Sequence, residues 1–251
     1  MSVKMKQPVR NLKVRYTKDY SKFVKIHTNR SLKTGILNKI EKSMIEHGLM
    51  LDPIKVNEKW EVVDGQHRLH VSEKLGLGIY YIQITGIGRE EMITQNSTGG
   101  QWNLQDFLDT YVKERNPNYI KIQKFMFEFP MFSITDTCVF LNGGNQTIKG
   151  EDFRNGKYVA GSLNTAKELA TEIMKLKSVY PLGYTRTIFV RTLLSVNVNN
   201  PKFDMGEFVK KSKVVPNEYF QIKGDRKGYK RMIEDIYNYK RRNVDKITIK
   251  V

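Results

Sequence analysis

One segment, residues 37–84, restricts the fold more than any other part of this sequence. Its apolar residues first recur at helical spacing, up to a glycine at position 48 that suits a helix C-terminus. Two β-prone runs joined by a turn follow, then a short helix and a final β-prone run. The predicted elements are a helix over 37–47, strands over 53–57 and 60–63, a helix closing at Gly76 and a strand over 79–84. This order predicts an α/β (α+β) domain.

Beyond Gly88 the pattern becomes mainly helical, with amphipathic periodicity in most segments. We therefore predict two domains, an α/β domain over residues 1–112 and a mainly α-helical, basic domain over residues 113–251. The predicted helices cover residues 90–95, 104–114, 118–129, 133–141, 163–177, 184–198 and 228–242.

The charge of the chain is concentrated at its two ends. The net charge is +17, of which residues 1–35 carry +9 and residues 201–251 carry +7. Such a distribution favours binding of a polyanion, DNA above all, and solvated surface charge is the alternative. The residues that we expect at this interface are Arg10, Lys13, Arg15, Lys240, Arg241 and Arg242.

The sequence also excludes several classes of protein. Its single cysteine, Cys138, cannot form an internal disulfide, and no apolar run approaches the ~20 residues of a membrane span. We expect a cytoplasmic protein without a membrane partner.

The junction at Asp64–Leu69 is the segment most suited to binding a ligand. A strand ends there, a glycine allows a tight turn, and polar and cationic residues open a helix. Free backbone N–H groups at a helix start, aided by the helix dipole, bind anions. Arg68 offers a planar fork for phosphate oxygens, Gln66 and His67 offer hydrogen bonds, and Asp64 is expected to cap the helix. The residues alone leave open a plain helix start without a ligand.

Residues 37–84, with the Asp64-Gly65-Gln66-His67-Arg68 motif, resemble the ParB/sulfiredoxin-like domain. When the comparison is extended to Asn29-Arg30 and to residues 96–102, the chain resembles ParB-like proteins that phages and other mobile elements encode. In ParB the corresponding loop reads Gly-Glu-Arg-Arg and contacts the phosphates of CTP. The resemblance therefore implies an NTP, CTP or ATP, with Mg²⁺.

The resemblance also implies the site residues. It places phosphate contacts at Asp64, Gly65, Gln66, His67, Arg68, Asn29, Arg30 and Asn96, with Asn96 assisting the metal. Gln66 and His67 would orient oxygens or water in a slow hydrolysis. Gln66 also stands where sulfiredoxin needs its cysteine, which excludes sulfinic-acid reduction.

Three functions stay open at this point. The first is a nucleotide-binding, DNA-associated protein with slow NTP hydrolysis. The second is a metal-dependent DNase, because nuclease-like relatives carry Asp-Gly-Gln-Gln-Arg. The third is a phage module without chemistry that binds a host protein. Whether the chain forms a homodimer, as ParB relatives do, also stays open.

Other motifs receive structural interpretations. His67 and His70 lack a third ligand at zinc spacing, so no protein-held metal is expected. Cys138 is expected to be a buried, inert thiol, and residues 143–146 a turn. Residues 133–141 could open a helix-turn-helix, but the turn-like residues 150–156 offer no recognition helix. Trp102 is expected to pack rather than stack on a base.

Overall fold

The computed structural model describes residues 12–26, 31–48, 51–88, 102–144 and 150–249. The chain divides into two compact units, residues 1–113 and 114–251. The first combines a sheet with helices and the second is helical where the structure describes it, so the predicted fold class, α/β followed by mainly α, is confirmed.

The first unit contains a four-stranded sheet with the order β1-β4-β2-β3. Strand β2 runs parallel to β4, and the other two pairs are antiparallel. The strands are β1 (Val14–Thr17), β2 (Ile54–Val56), β3 (Val62–Asp64) and β4 (Ile79–Gln83). The helices are α1 (Thr34–His47), α2 (Gln66–Leu75) and α3 (Leu104–Lys113). The predicted order of elements between residues 37 and 84 is therefore confirmed.

One apolar cluster fixes the sheet and α2 in place. Its strand members face one side of the sheet, where Phe23 and Leu69 of α2 cover them. The cluster consists of Phe23, Ile54, Val56, Val62, Leu69, Ile79 and Tyr81. Trp60, in the left-handed region with φ 65°, ends the β2–β3 turn and packs its ring against Tyr81, 5.4 Å between centroids. The cluster thus positions the first turn of α2 at the end of β3.

The second unit is built from seven described helices, and side-chain caps start most of them. Asn116, Ser133, Ser162, Asp204 and Asp225 each accept a hydrogen bond from an N–H of the first turn. The helices are α4 (Pro117–Glu128), α5 (Ile134–Leu141), α6 (Gly150–Arg154), α7 (Leu163–Met174), α8 (Thr187–Asn199), α9 (Met205–Ser212) and α10 (Arg226–Asn238).

Several predictions for this unit need correction. Residues 150–154 form a short helix rather than a turn, and α9 was not predicted. Helix α10 begins two residues earlier than predicted and ends at Asn238, because Tyr239 is extended and Lys240 has φ 54°. In the first unit, the helix predicted over residues 90–95 lies outside the described residues. Within the described residues, no helix combines the length and apolar character that crossing a bilayer requires.

Candidate functional site

The junction between β3 and α2 requires glycine at position 65. Gly65 has φ 92° and ψ 18°, in the left-handed region that side chains disfavour. A Cβ atom at this position would lie 2.5 Å from Ile54 Cγ2 and 2.9 Å from the Arg68 Nη2 atom. The backbone therefore passes directly over β2, and the Arg68 side chain lies across the glycine.

Asp64 does not cap α2, and the predicted role is wrong. Gly65 occupies the N-cap position and has no side-chain oxygen to offer. The Asp64 carboxylate instead lies 3.5 Å from the Lys55 ammonium on the neighbouring strand and 3.8 Å from the Arg68 guanidinium. Its position at the end of β3 directs it along the sheet, where two cations neutralise it.

Arg68 is held by the loop before β2. Its Nη1 atom lies 2.7 Å from an Asp52 carboxylate oxygen, and its Nη2 atom donates to the Pro53 carbonyl oxygen at 3.4 Å. The Arg68 side chain is 17% exposed, whereas that of Asp52 is 67% exposed. The Arg68 Nε atom is buried and has no hydrogen-bond partner among the described residues. Arg68 thus pairs with an exposed carboxylate, and its buried Nε donor has no acceptor among the described residues.

His67 is buried, with 5% exposure, and its ring contacts the start of helix α1. The backbone N–H of Lys33 donates to His67 Nε2 at 3.1 Å. Because Nε2 accepts this bond, it carries no proton, and the neutral ring is protonated at Nδ1. Lys33 is the N-cap residue of α1, so His67 joins the start of α1 to the first turn of α2.

Lys33 and Asp106 extend this connection to α3, and sequence analysis did not identify them. The Lys33 ammonium lies 2.8 Å from the buried Asp106 carboxylate. Asn103 and Asp106 also cap α3 reciprocally, with both side chain to backbone distances at 3.0 Å. The capping pattern was visible in the sequence as an Asn and an acid three residues apart. The lysine partner was not, because it lies 73 residues away.

Gln66 lines a small cavity beside the first turn of α2. The cavity has a volume of about 40 Å³ and is enclosed by Lys25, Leu32, Val62 and Leu69 together with Gln66. That volume suits an ordered water rather than a ligand group. A nucleotide would therefore have to lie outside this cavity, over the exposed side of the junction.

The remaining predicted phosphate contacts, Asn29, Arg30 and Asn96, lie outside the described residues, as does Arg10. Of the metal ligands considered, His67 is engaged with Lys33 and His70 is half-buried. The part of the chain that the structure describes contains no group of three His, Cys, Asp or Glu side chains able to hold a metal ion.

The basic residues near the termini differ in their availability. Lys13 and Arg15, at the exposed edge strand β1, are exposed, and so are Lys240 and Arg242. Arg241 is committed within the protein. Its guanidinium pairs with Glu207, lies 4.3 Å from the centre of the Tyr237 ring, and donates to the Asp245 carbonyl.

Three other predictions are confirmed by the structure. Cys138 is buried, and burial raises the pKa of its thiol to about 12. Of the turn predicted over residues 143–146, Gly143 and Gly144 form a turn with positive φ angles, and residues 145–146 lie outside the described residues. Trp102 is buried and packs on Phe107, with 5.0 Å between ring centroids.

Comparison with known proteins finds one distant structural similarity and no matching family. No family model and no curated protein matches the chain. A solved structure of a Pnob8-like ParB-N domain is similar to it at 13% sequence identity, covering 91% of this chain and 96% of that one, with a TM-score of 0.33. A TM-score this low carries no argument about function, so the fold class rests on the strand order and the helices given above.

Proposed function

We propose that this protein is a ParB-like, nucleic-acid-associated protein that binds an NTP, CTP or ATP, at the first turn of α2. The observation that carries this proposal is the position of the Arg68 side chain and its contact with Asp52. Its guanidinium lies over a left-handed glycine at a helix start, bound to the exposed carboxylate of Asp52 at 2.7 Å. The ParB-like resemblance of the Asp64–Arg68 motif supplies the ligand class.

The helix start supports an anionic ligand. The first N–H groups of an α-helix have no acceptor within the helix, and the dipole places roughly +0.5 charge there. The N-cap residue of α2 is a glycine, which makes no side-chain cap and allows a ligand to approach the backbone closely. Phosphate groups bind at helix starts of this kind.

Arg68 supplies the charged contact. A carboxylate and a phosphate present similar oxygens to a guanidinium, so a ligand phosphate can take the place of the Asp52 carboxylate at Arg68. The Asp52 side chain is 67% exposed, so solvent screens its attraction to the guanidinium and a ligand phosphate can displace it. The buried Nε atom, which has no partner among the described residues, would gain an acceptor from a ligand oxygen.

His67 and Gln66 belong to this site as positioning and contact residues. His67 is buried with its Nε2 atom engaged by Lys33, so it fixes the helix starts rather than meeting solvent water. Mg²⁺ would arrive with the phosphates, because that ion keeps waters and few protein ligands in such sites. The proposal is therefore binding, without a hydrolytic step assigned to these side chains.

Nucleic-acid association completes the proposal. The net charge of +17 is concentrated near the termini, and Lys13, Arg15, Lys240 and Arg242 are exposed. These cations suit phosphodiester backbones, and the ParB-like resemblance points to DNA.

Calorimetric titration of the full chain with each of the four common NTPs, with and without Mg²⁺, tests the nucleotide assignment. We expect saturable binding of at least one NTP, with a stabilisation of the first unit that grows with ligand concentration. Absence of binding by all of them would overturn it. The DNA assignment is tested separately, since the affinity should fall linearly with salt on logarithmic axes.

A further inference from the structure

Helix α10 carries a cluster of cations on its first two turns. They precede the basic run at residues 240–242 and form a patch separate from it along the chain. We call this patch the basic face of α10, and it consists of Arg226, Lys227, Lys230 and Arg231.

The four side chains of the basic face lie on one side of the helix. At ~100° per residue, positions 226, 230, 227 and 231 follow one another over an arc of about 140°. Three of them are exposed and Lys230 is half-buried. The opposite side of α10 is buried in the core of the second unit, with Tyr229, Ile233 and Ile236 all at 0% exposure.

The cations of the basic face form no ion pairs with described residues. They differ in this from Arg191 and Arg241, which pair with Asp136 and Glu207. Two nearby acids accept backbone hydrogen bonds instead, Asp225 from Gly228 N–H at 2.7 Å and Glu234 from Ile249 N–H at 2.8 Å. Like charges four residues apart destabilise a helix by roughly 0.2–0.5 kcal/mol per pair. Glu234 and Asp235 stand four residues after Lys230 and Arg231, yet neither forms an ion pair with them within the described residues, so these cations are available to an external anion.

A groove adjoins the basic face and adds hydrogen-bonding groups to it. Its volume is about 410 Å³, and Arg231 belongs to both surfaces. Other residues in its wall are Tyr219, Gln221, Lys223, Glu218 and Asp235. An aromatic ring beside amide, carboxylate and cationic groups matches what an unstacked nucleobase requires, through stacking and contacts to base edges.

We infer that the basic face of α10 is the surface by which the second unit holds a nucleic-acid phosphate backbone, with the adjoining groove receiving a base. This inference rests on the proposed association with nucleic acid and names the surface responsible. An anionic membrane is the other polyanion that such a face could meet. Insertion of α10 into a bilayer would need its apolar side, and the protein core already buries that side.

The test compares two variants of the full chain that lose the same charge. In the first, each residue of the basic face becomes glutamine, which preserves helix propensity. In the matched control, the same change is made at four scattered, exposed lysines of the second unit, Lys124, Lys177, Lys210 and Lys213. Binding of labelled duplex and single-stranded oligonucleotides is followed by fluorescence anisotropy over a series of salt concentrations, and circular dichroism verifies the helix content.

We expect the basic-face variant to lose about 3 to 4 units from the slope of log affinity against log salt, and the control to lose less than about 1. A double variant, Lys227→Gln with Lys230→Gln, should lose about 2. Equal losses in the basic-face variant and the control, or an unchanged slope in the former, would overturn the inference while leaving the proposed function intact. Wild-type protein that binds neither oligonucleotide would refute the proposed association itself. Loss of binding to phosphatidylserine vesicles without loss of oligonucleotide binding would also overturn the inference, in favour of a membrane.

Discussion

Replacing Gly65 with alanine should damage the junction between β3 and α2 more than any other single methyl group added there. The new Cβ would lie 2.5 Å from Ile54 Cγ2, and Ile54 is fully buried in the core of the first unit. It would also lie 2.9 Å from the Arg68 Nη2 atom. Either β2 or the arginine side chain has to move.

The size of the effect follows from the backbone and the packing. A non-glycine residue in the left-handed region costs roughly 1–2 kcal/mol, and overpacking of a core typically costs about 1–3 kcal/mol more. Alanine also reduces the conformational freedom of the unfolded chain, which offsets about 0.4–1 kcal/mol of the lost stability. We therefore expect Gly65→Ala to lower the free energy of unfolding of the first unit by about 2 to 4 kcal/mol.

The chain offers a matched control and a convenient probe. Gly76, at the other end of α2, has φ 65°, and a Cβ there would meet nothing within 4 Å. Gly76→Ala should therefore cost only about 1 kcal/mol. Both tryptophans, Trp60 and Trp102, lie within residues 1–113, so tryptophan fluorescence in urea reports on this unit alone. Equal urea midpoints for the two variants would refute the packing described at Gly65.

Other expectations concern single side chains. Asp106→Ala, which removes a helix cap and the ion pair of a buried carboxylate, should destabilise the first unit by about 1–3 kcal/mol in the same assay. Asp109→Ala, which removes only an exposed hydrogen bond from Gln105 on the same helix, should change stability by less than about 0.5 kcal/mol. The thiol of Cys138 has a pKa of about 12, so it holds almost no thiolate at mildly alkaline pH and should react with dithionitrobenzoate only after denaturation. Rapid labelling of the native protein would contradict its burial. Asp136→Ala leaves the Arg191 guanidinium without its carboxylate and should lower the thermal midpoint of the second unit in calorimetry by several degrees. The control Asp235→Ala, at an exposed site, should leave that midpoint unchanged.

The order of elements in the first unit was predictable because each depends on local signals. The periodicity of α1, the turn between β2 and β3, and the glycines at positions 48 and 76 all act within a few residues of themselves. The wrong prediction for Asp64 also came from a local signal. An aspartate before a helix suits a cap, but a glycine one residue later took that position and turned the carboxylate toward Lys55.

The partners of the site residues were not predictable, because tertiary packing brings them together. Arg68 meets Asp52 across 16 positions of sequence, and Lys33 meets both His67 and Asp106. No periodicity encodes such distant pairs. Helix α9 was missed although Asp204 and Glu207, three residues apart, form a capping pattern at its start.

Calorimetric titration of Arg68→Ala and Asp52→Ala tests the proposed phosphate site most directly. Loss of a charged hydrogen bond to phosphate, about 1.5–3 kcal/mol, should weaken NTP binding by Arg68→Ala roughly 10- to 100-fold. Asp52→Ala removes the carboxylate that competes for the guanidinium and should bind the NTP at least as tightly as the wild type does. Lys74→Ala, at an exposed position of the same helix, should leave affinity unchanged. Unaltered NTP affinity in Arg68→Ala, or an equal loss in Arg68→Ala and Asp52→Ala, would show that Arg68 only braces the loop before β2.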